Sequence, residues 1–385
     1  MSERSGLLLL DGELVPGALR IDGARIGAVR RLPTLPAGAP ILAPGLVDLH
    51  VHGYGGAGPE RDLAGLARAL AAAGTTAFLP TLFPDEPARL GRTAEAIWRA
   101  RGELERGARV LGLHLEGPFV NPARAGALPA DRLHAPSPAA LKALLGGASP
   151  DARGIRQVTL APELPGAPAL VTELVRLGVR VSLGHSAATA AEAGAAADRG
   201  ARGATHLYNA MSALHHRDAT LASFALAHDA LVAEIIGDLV HVGPEAFRIA
   251  LRARGPRGLA LVSDALEGAH TGAAEFESHG RLCRVRDGAI WLTDGDPAAP
   301  PRLTGAEASQ LEAVRRLVRA GVIELAPALT MASESPARAL GLEHELGRFV
   351  PGAHADWIAL EPRTLALLEV GIGGETQAPS PARQR

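Results

Sequence analysis

Residues 43–53 read Ala-Pro-Gly-Leu-Val-Asp-Leu-His-Val-His-Gly. Pro44 and Gly45 punctuate the entry. Leu46–Val51 is then a short, mostly apolar run with two β-branched residues, the pattern of a strand buried on both faces. Asp48, His50 and His52 interrupt that pattern at alternate positions, and alternate residues of a strand project to one side. Two imidazoles at the last two inward positions can hold one divalent cation between them. Gly53, Gly55, Gly56 and Gly58 follow, which predicts a loop open to a ligand.

Outward from this strand the chain alternates between helix-patterned and strand-patterned segments. Helices are expected at Leu63–Ala73, Pro87–Arg106, Ser137–Leu145, Ala167–Leu177, Ala187–Arg199 and Pro244–Ala253. Strands are expected at Thr75–Leu82, Val110–Leu115, Gln157–Ala161, Val179–Leu183, Gly203–His206, Val232–Ile236 and Leu259–Ser263. With the first, that makes eight strands over roughly 220 residues, close to the size of a (β/α)8 barrel. An open doubly wound sheet shows the same alternation, so the polar residues must decide. His50, His52, Glu116, His185, His206, His241 and Asp264 all fall at or just past C-terminal strand ends. In a barrel those ends converge on one mouth, whereas in an open sheet they spread along an edge.

Both ends of the chain carry short strands and tight turns. The expected fold is therefore α/β: a (β/α)8 TIM-like barrel over 45–346, with a small β-sandwich domain built from 1–44 and 347–385. An inserted hairpin is expected at Arg281–Asp296, turning at Asp287-Gly288 and Asp294-Gly295. Further helices are expected at Ala306–Ala320 and Ala326–Leu340, and a frayed tail from about 374.

A formal charge of −2 argues against nucleic acid or an anionic membrane as the main partner. The single cysteine, Cys283, excludes an internal disulfide and fits a reducing compartment. Leu7–Leu10 is too short for a signal-peptide core, and no run approaches a membrane span, so a soluble cytoplasmic protein is expected. Lys142 is the only lysine.

Imidazoles and carboxylates gathered at strand ends suit Zn²⁺ first, with Fe²⁺, Co²⁺ or Mn²⁺ as alternatives. His50, His52, Glu116, His185, His206 and Asp264 are too many ligands for one tetrahedral ion. They imply either two ions bridged by Glu116, or one ion plus groups left free for catalysis. Asp264 is the natural proton shuttle between an attacking water and a leaving amine.

The stretch 44–53 resembles the amidohydrolase superfamily. Later motifs narrow the resemblance to its N-acetylglucosamine-6-phosphate deacetylases: Leu113-His114-Leu115-Glu116-Gly117-Pro118-Phe119, Thr159-Leu160-Ala161-Pro162-Glu163, Gly184-His185, Thr205-His206-Leu207-Tyr208-Asn209-Ala210-Met211, His216-Arg217, Asp238-Leu239-Val240-His241 and Val262-Ser263-Asp264-Ala265. Gly352-Ala353-His354-Ala355-Asp356 resembles that family's return to its small β domain. The resemblance implies Glu116, His185 and His206 as central metal ligands, His50 and His52 as a second metal position, and Asp264 as the catalytic acid and base. It implies a sugar-phosphate site at Ala127, Asn209, Ala210, Arg217, His241 and the loop Leu303-Thr304-Gly305-Ala306. It also implies removal of the acetyl group from N-acetylglucosamine 6-phosphate, and a homodimer whose active site lies near the subunit interface.

Three departures bear on the substrate. Leu128 stands where the family offers a polar side chain, Asp218-Ala219-Thr220 replaces an acidic-Pro-Gly turn, and Leu303–Gln310 lacks the usual ending. A deacetylase of the galactosamine epimer is therefore the alternative reading. A dihydroorotase-like enzyme is excluded, because it needs a carboxylated lysine at the end of the fourth strand and Lys142 precedes that strand. A metal-free homologue is disfavoured because all six polar positions are intact. His114 reads as a strand residue behind the site. His134, His215, His228, His270, His279, His344 and His354 lie in loops or on helix faces and read mostly as solvated.

Overall fold

A computed structural model describes residues 1–293 and 302–377. Eight parallel strands, Leu46–Val51, Thr75–Leu82, Leu113–Glu116, Ile155–Leu160, Arg180–Leu183, Gly203–Ala204, Val232–Ile236 and Leu259–Val262, pair in chain order. They are called β1 to β8 below. Helices fill most of the connections, as buried parallel strands require. Their starts follow from side-chain caps: Asp62 accepts from the Gly65 amide at the head of Leu63–Ala72, and Thr189 with Glu192 forms a capping box before Ala190–Asp198.

The ladder continues past β8 to its beginning. The Asp264 amide donates to the His50 carbonyl at 2.8 Å, and the His52 amide donates to the Ala265 carbonyl at 2.9 Å. Below these, Gln310 spans the junction: its Nε2 donates to the carbonyls of Val47 in β1 (2.8 Å) and Leu261 in β8 (2.7 Å). Gln310 is fully buried at the head of the helix Gln310–Arg319. Gln310→Ala removes the donor from two buried carbonyls, so we expect a loss of about 2–4 kcal/mol of stability. A denaturation midpoint shifted by less than about 0.5 kcal/mol equivalent would show that this contact does not hold the seam.

The terminal segments form a continuous seven-stranded sheet, ordered Glu375–Gln377, Leu367–Ile372, Trp357–Leu360, Ile41–Pro44, Ser2–Leu10, Glu13–Asp22, Arg25–Arg31. Leu8, Leu19, Ile21, Leu42 and Trp357 share one core with Phe349, while Leu9, Ile41 and Ala43 join the main barrel core. Glu375–Gln377 pairs with Leu367–Ile372, so the expected frayed tail does not begin at 374; its later part lies outside the described residues.

The insertion after β8 is larger than the expected hairpin. Glu275–Ser278, Arg281–Arg286, Ala289–Leu292 and Arg302–Ala306 make a four-stranded antiparallel sheet, with the turn at Asp287-Gly288 as expected and the Asp294-Gly295 turn outside the described residues. Residues 302–306 are thus strand, and the helix expected from Ala306 begins only after the cap at Ser309. The helix expected over Ala326–Leu340 is broken at Ser333 into Leu325–Ala332 and Glu334–Ala339. Among the described residues no helix is long and apolar enough to cross a membrane.

Candidate metal centre at the barrel mouth

β1 ends as its sequence demands. His50 and His52 are both buried and lie on one side, their Nε2 atoms 3.3 Å apart. β3 ends at Glu116, whose carboxylate stands at the centre of the group. One oxygen, Oε1, lies 2.9 Å from His185 Nε2 and 3.0 Å from His206 Nε2, and the other lies 3.1 Å from His52 Nε2. Asp264 Oδ1 approaches His50 Nε2 at 3.4 Å and His52 Nε2 at 3.8 Å. The six side chains therefore fall into two triads, His50/His52/Asp264 and Glu116/His185/His206.

The donor set fits a divalent cation. Nε2 of His185 and Nε2 of His206 are 3.1 Å apart while both also face one carboxylate oxygen. If both nitrogens were protonated toward Glu116, they would crowd each other; as lone pairs they would repel unless a cation lay between them. Separations of this size approach the about 3.3 Å edge of a tetrahedron with metal–nitrogen bonds of 2.0–2.1 Å. Among the described residues, the Nδ1 atoms of His52 and His206 are buried without a hydrogen-bond partner, so nothing there competes for the orientation of those rings.

The backbone is bent to aim these groups. His185, His206, Tyr208, Ala210, Leu239 and Asp264 all have positive φ, a conformation that costs a side-chain-bearing residue energy and that gathers at functional sites. Glu163 supports the His185 turn: it accepts from Ser186 Oγ (2.7 Å), the Ala187 amide (2.6 Å) and Asn121 Nδ2 (2.9 Å). The turn that Asn121 opens presents the Arg124 carbonyl to His185 Nδ1 at 2.9 Å.

Electrostatics follow burial and pairing. Burial pushes the His114 imidazole down to about 3, helped by His50, so it is a neutral group bonded to Thr159 and facing the Leu49 carbonyl behind the cluster. Burial would raise Glu116, but the surrounding histidines, His50 foremost, hold it well below the usual carboxylate range. Burial would lower His241, but Asp238, 2.7 Å from its Nδ1, raises it above the ordinary imidazole value. Asp264 acts on it in the same direction, so both carboxylates favour the cationic form of His241.

Several of the expected sugar-phosphate residues lie around this mouth. Asn209 Nδ2 donates to the His206 carbonyl, and the Ala210 carbonyl accepts from the Ser186 amide. A side chain at Gly126, beside Ala127, would come within van der Waals reach of Ala210 and His185. The Ala306 amide donates to the Asp264 carbonyl, and Gly305 fits closely over that same carbonyl, which brings the end of Leu303–Ala306 to the acid. Arg217 is different: it stands on an exposed loop, its guanidinium 2.9 Å from His216 Nε2. Leu128 is buried in the turn after Ala125.

Three features escape a reading of the sequence. Glu234, fully buried in the middle of β7, lies 3.3 Å from His50 Nδ1; its one signal is a carboxylate inside the run Val-Ala-Glu-Ile-Ile. His279 is exposed at its turn, as expected, but its ring also meets Phe83 edge-on, and Phe83 stacks on His52. In the glycine loop, Gly53 and Gly58 leave no room for a side chain beside Glu267, while Gly55 and Gly56 are exposed.

Residues 41–378 match the amidohydrolase family. The chain belongs to that family. Its members are metal-dependent, in keeping with the donor set above. The chain is 35% identical over 393 residues to the human N-acetylglucosamine-6-phosphate deacetylase, covering 97% of this chain and 91% of that protein. It is 34% identical over 364 residues to the N-acetylgalactosamine-6-phosphate deacetylase of Escherichia coli O157:H7, covering 92% and 93%. Among solved structures, a mutant N-acetyl-D-glucosamine-6-phosphate deacetylase from Mycobacterium smegmatis in complex with N-acetyl-D-glucosamine-6-phosphate superposes with a TM-score of 0.86 at 30% identity, covering 98% and 99%.

Proposed function

We propose that this amidohydrolase removes the acetyl group from N-acetylglucosamine 6-phosphate, giving glucosamine 6-phosphate and acetate, in the cytoplasm. The observation that carries the reading is the pair of triads at the barrel mouth with Asp264 at its rim, in a chain whose relatives of nearly full length are amino-sugar-phosphate deacetylases. Residues 45–346 form the catalytic barrel in this reading, and 1–44 with 347–385 the small β domain.

Glu116, His185 and His206 hold the principal ion, zinc first, and His50 and His52 provide for a second. A divalent cation bound there lowers the pKa of a water and polarises the acetyl carbonyl. Asp264 Oδ1 takes the proton from the attacking water and returns it to the leaving nitrogen, so the sugar departs as an amine. His241, whose cationic form Asp238 favours, and Asn209 orient the sugar, while Ala127, Ala210, Leu303, Gly305 and Ala306 line its walls.

Arg217 binds the phosphate through two guanidinium N–H groups. Its exposed position on the mouth-side loop suits a homodimer in which the subunit interface encloses the phosphate. Arg217→Ala should raise KM for the phosphorylated sugar about 10–100-fold, the equivalent of about 1.5–3 kcal/mol for a charged hydrogen bond, and leave the unphosphorylated analogue unaffected. Equal losses on both substrates would place the phosphate elsewhere.

The galactosamine epimer is the second reading, favoured by the Escherichia coli relative. Acetate release from N-acetylglucosamine and N-acetylgalactosamine, each with and without the 6-phosphate, tests both. Release from neither phosphorylated sugar would overturn the proposal.

A further inference from the structure

Glu234 has no exposed surface, yet it carries a carboxylate at the centre of the barrel. Leaving such a charge unpaired would cost several kcal/mol of order, so its surroundings must answer for it. Three side chains do. Gln157 Nε2, from β4, donates to Oε1 at 2.7 Å; Arg180 Nη1, from β5, lies 3.8 Å from the same oxygen; and His50 Nδ1, from β1, lies 3.3 Å from Oε2. Arg180 also donates to Gln157 Oε1 and to the carbonyls of Arg202 and Val232, so it is fixed at the floor of the barrel. The group ties four strands together beneath the metal cluster.

The four clustered imidazoles differ in what their second nitrogen meets. Among the described residues Nδ1 of His52 and Nδ1 of His206 have no hydrogen-bond partner, and Nδ1 of His185 faces a neutral backbone carbonyl. His50 Nδ1 faces a carboxylate that can only accept. The proton therefore sits on Nδ1, the lone pair is left on Nε2, and the ring is made a stronger donor toward whatever Nε2 binds.

We propose that Glu234, held in place by Gln157 and Arg180, is the positioning residue of the second cation site: it fixes the tautomer and ring orientation of His50, and so makes His50 the anchor of the His50/His52/Asp264 position. The inference rests on the metal-dependent reading above but is separable from it. It predicts that affinity for a second ion depends on a residue that touches neither ion nor substrate, while the Glu116/His185/His206 position is indifferent to it.

The test uses the full chain, stripped of metal and titrated with Zn²⁺ alone, with bound zinc counted after dialysis. Wild type should show two binding steps, the weaker one abolished by His50→Ala. Glu234→Gln should weaken that step by about 10–100-fold, the usual effect of losing an outer hydrogen-bond partner, and leave the tighter step within about threefold. In the His50→Ala background it should change nothing further. Nitrogen-15 NMR of the zinc-loaded wild type, which does not depend on a variant folding, should show the proton of His50 on Nδ1. An Nε2-protonated His50, an unchanged weaker step, or equal weakening of both steps together with a lower melting point would each overturn the inference. A wild type that binds one ion only would overturn it and leave the proposed reaction standing, whereas one that binds no ion would overturn both.

Discussion

Asp264→Asn should slow acetate release by about 10³–10⁴-fold or more while the protein keeps its fold and its tighter metal ion. A positioned acid or base contributes about 10²–10⁴-fold to a proton transfer, and in the proposed reaction this carboxylate acts twice. The substitution is nearly isosteric, and the backbone is fixed on both sides: the Asp264 amide donates to the His50 carbonyl, and its own carbonyl accepts from Ala306. Those bonds hold residue 264 at φ 51, a left-handed conformation in which asparagine is tolerated. The side chain of residue 264 thus stays 3–4 Å from the imidazoles of His50 and His52, where Asp264 now sits, but an amide cannot take up the proton. Because the same carboxylate belongs to the second triad, some loss of a weaker ion is expected as well, and kcat should be compared at saturating zinc. Activity within tenfold of wild type would remove Asp264 from the chemistry.

Glu116→Ala should have the broadest effect on metal. Its two oxygens face His52 on one side and His185 with His206 on the other, so one truncation takes a ligand from both positions. Outer partners of metal ligands cost about 10–100-fold in affinity, and losing a carboxylate that would ligate directly must exceed that. We expect purified Glu116→Ala to carry almost no metal after dialysis and to release acetate at the background rate. His52→Ala, by contrast, should retain the tighter ion, since Glu116, His185 and His206 remain. Elemental analysis of the dialysed variants decides the matter: full metal in Glu116→Ala, or none in His52→Ala with full metal in His185→Ala, would invert the assignment.

Much of this site can be read from the chain because each of its candidate ligands falls at or just past the C-terminal end of a strand. Alternation puts His50 and His52 on one side, and a closed parallel sheet brings β1, β3, β5, β6 and β8 to one mouth, so position in the sequence becomes position in space. The helical connections are legible for the same reason, since caps such as Asp62 and Thr189 are local. What sequence pattern hides is whatever depends on a distant partner. Glu234 looks like an isolated polar residue in an apolar strand until β1, β4 and β5 are folded beside it. His279 resembles other loop histidines until the inserted sheet lays it on Phe83. The close approach of Gly53 and Gly58 to Glu267 likewise depends on a partner distant in the chain.

The seam has a consequence for the order of events during synthesis. A nascent chain that has emerged through Asp264 already carries all six polar side chains of the two triads. It still lacks the Ala306 amide that engages Asp264, and the Gln310 side chain that joins β1 to β8. The bonds between Asp264 and His50 and between Ala265 and His52 can form by then, but the side-chain tie between Val47 and Leu261 waits for Gln310. A polypeptide cut short of Gln310 thus carries every candidate ligand but lacks the buried side chain that fastens β1 to β8 below the mouth.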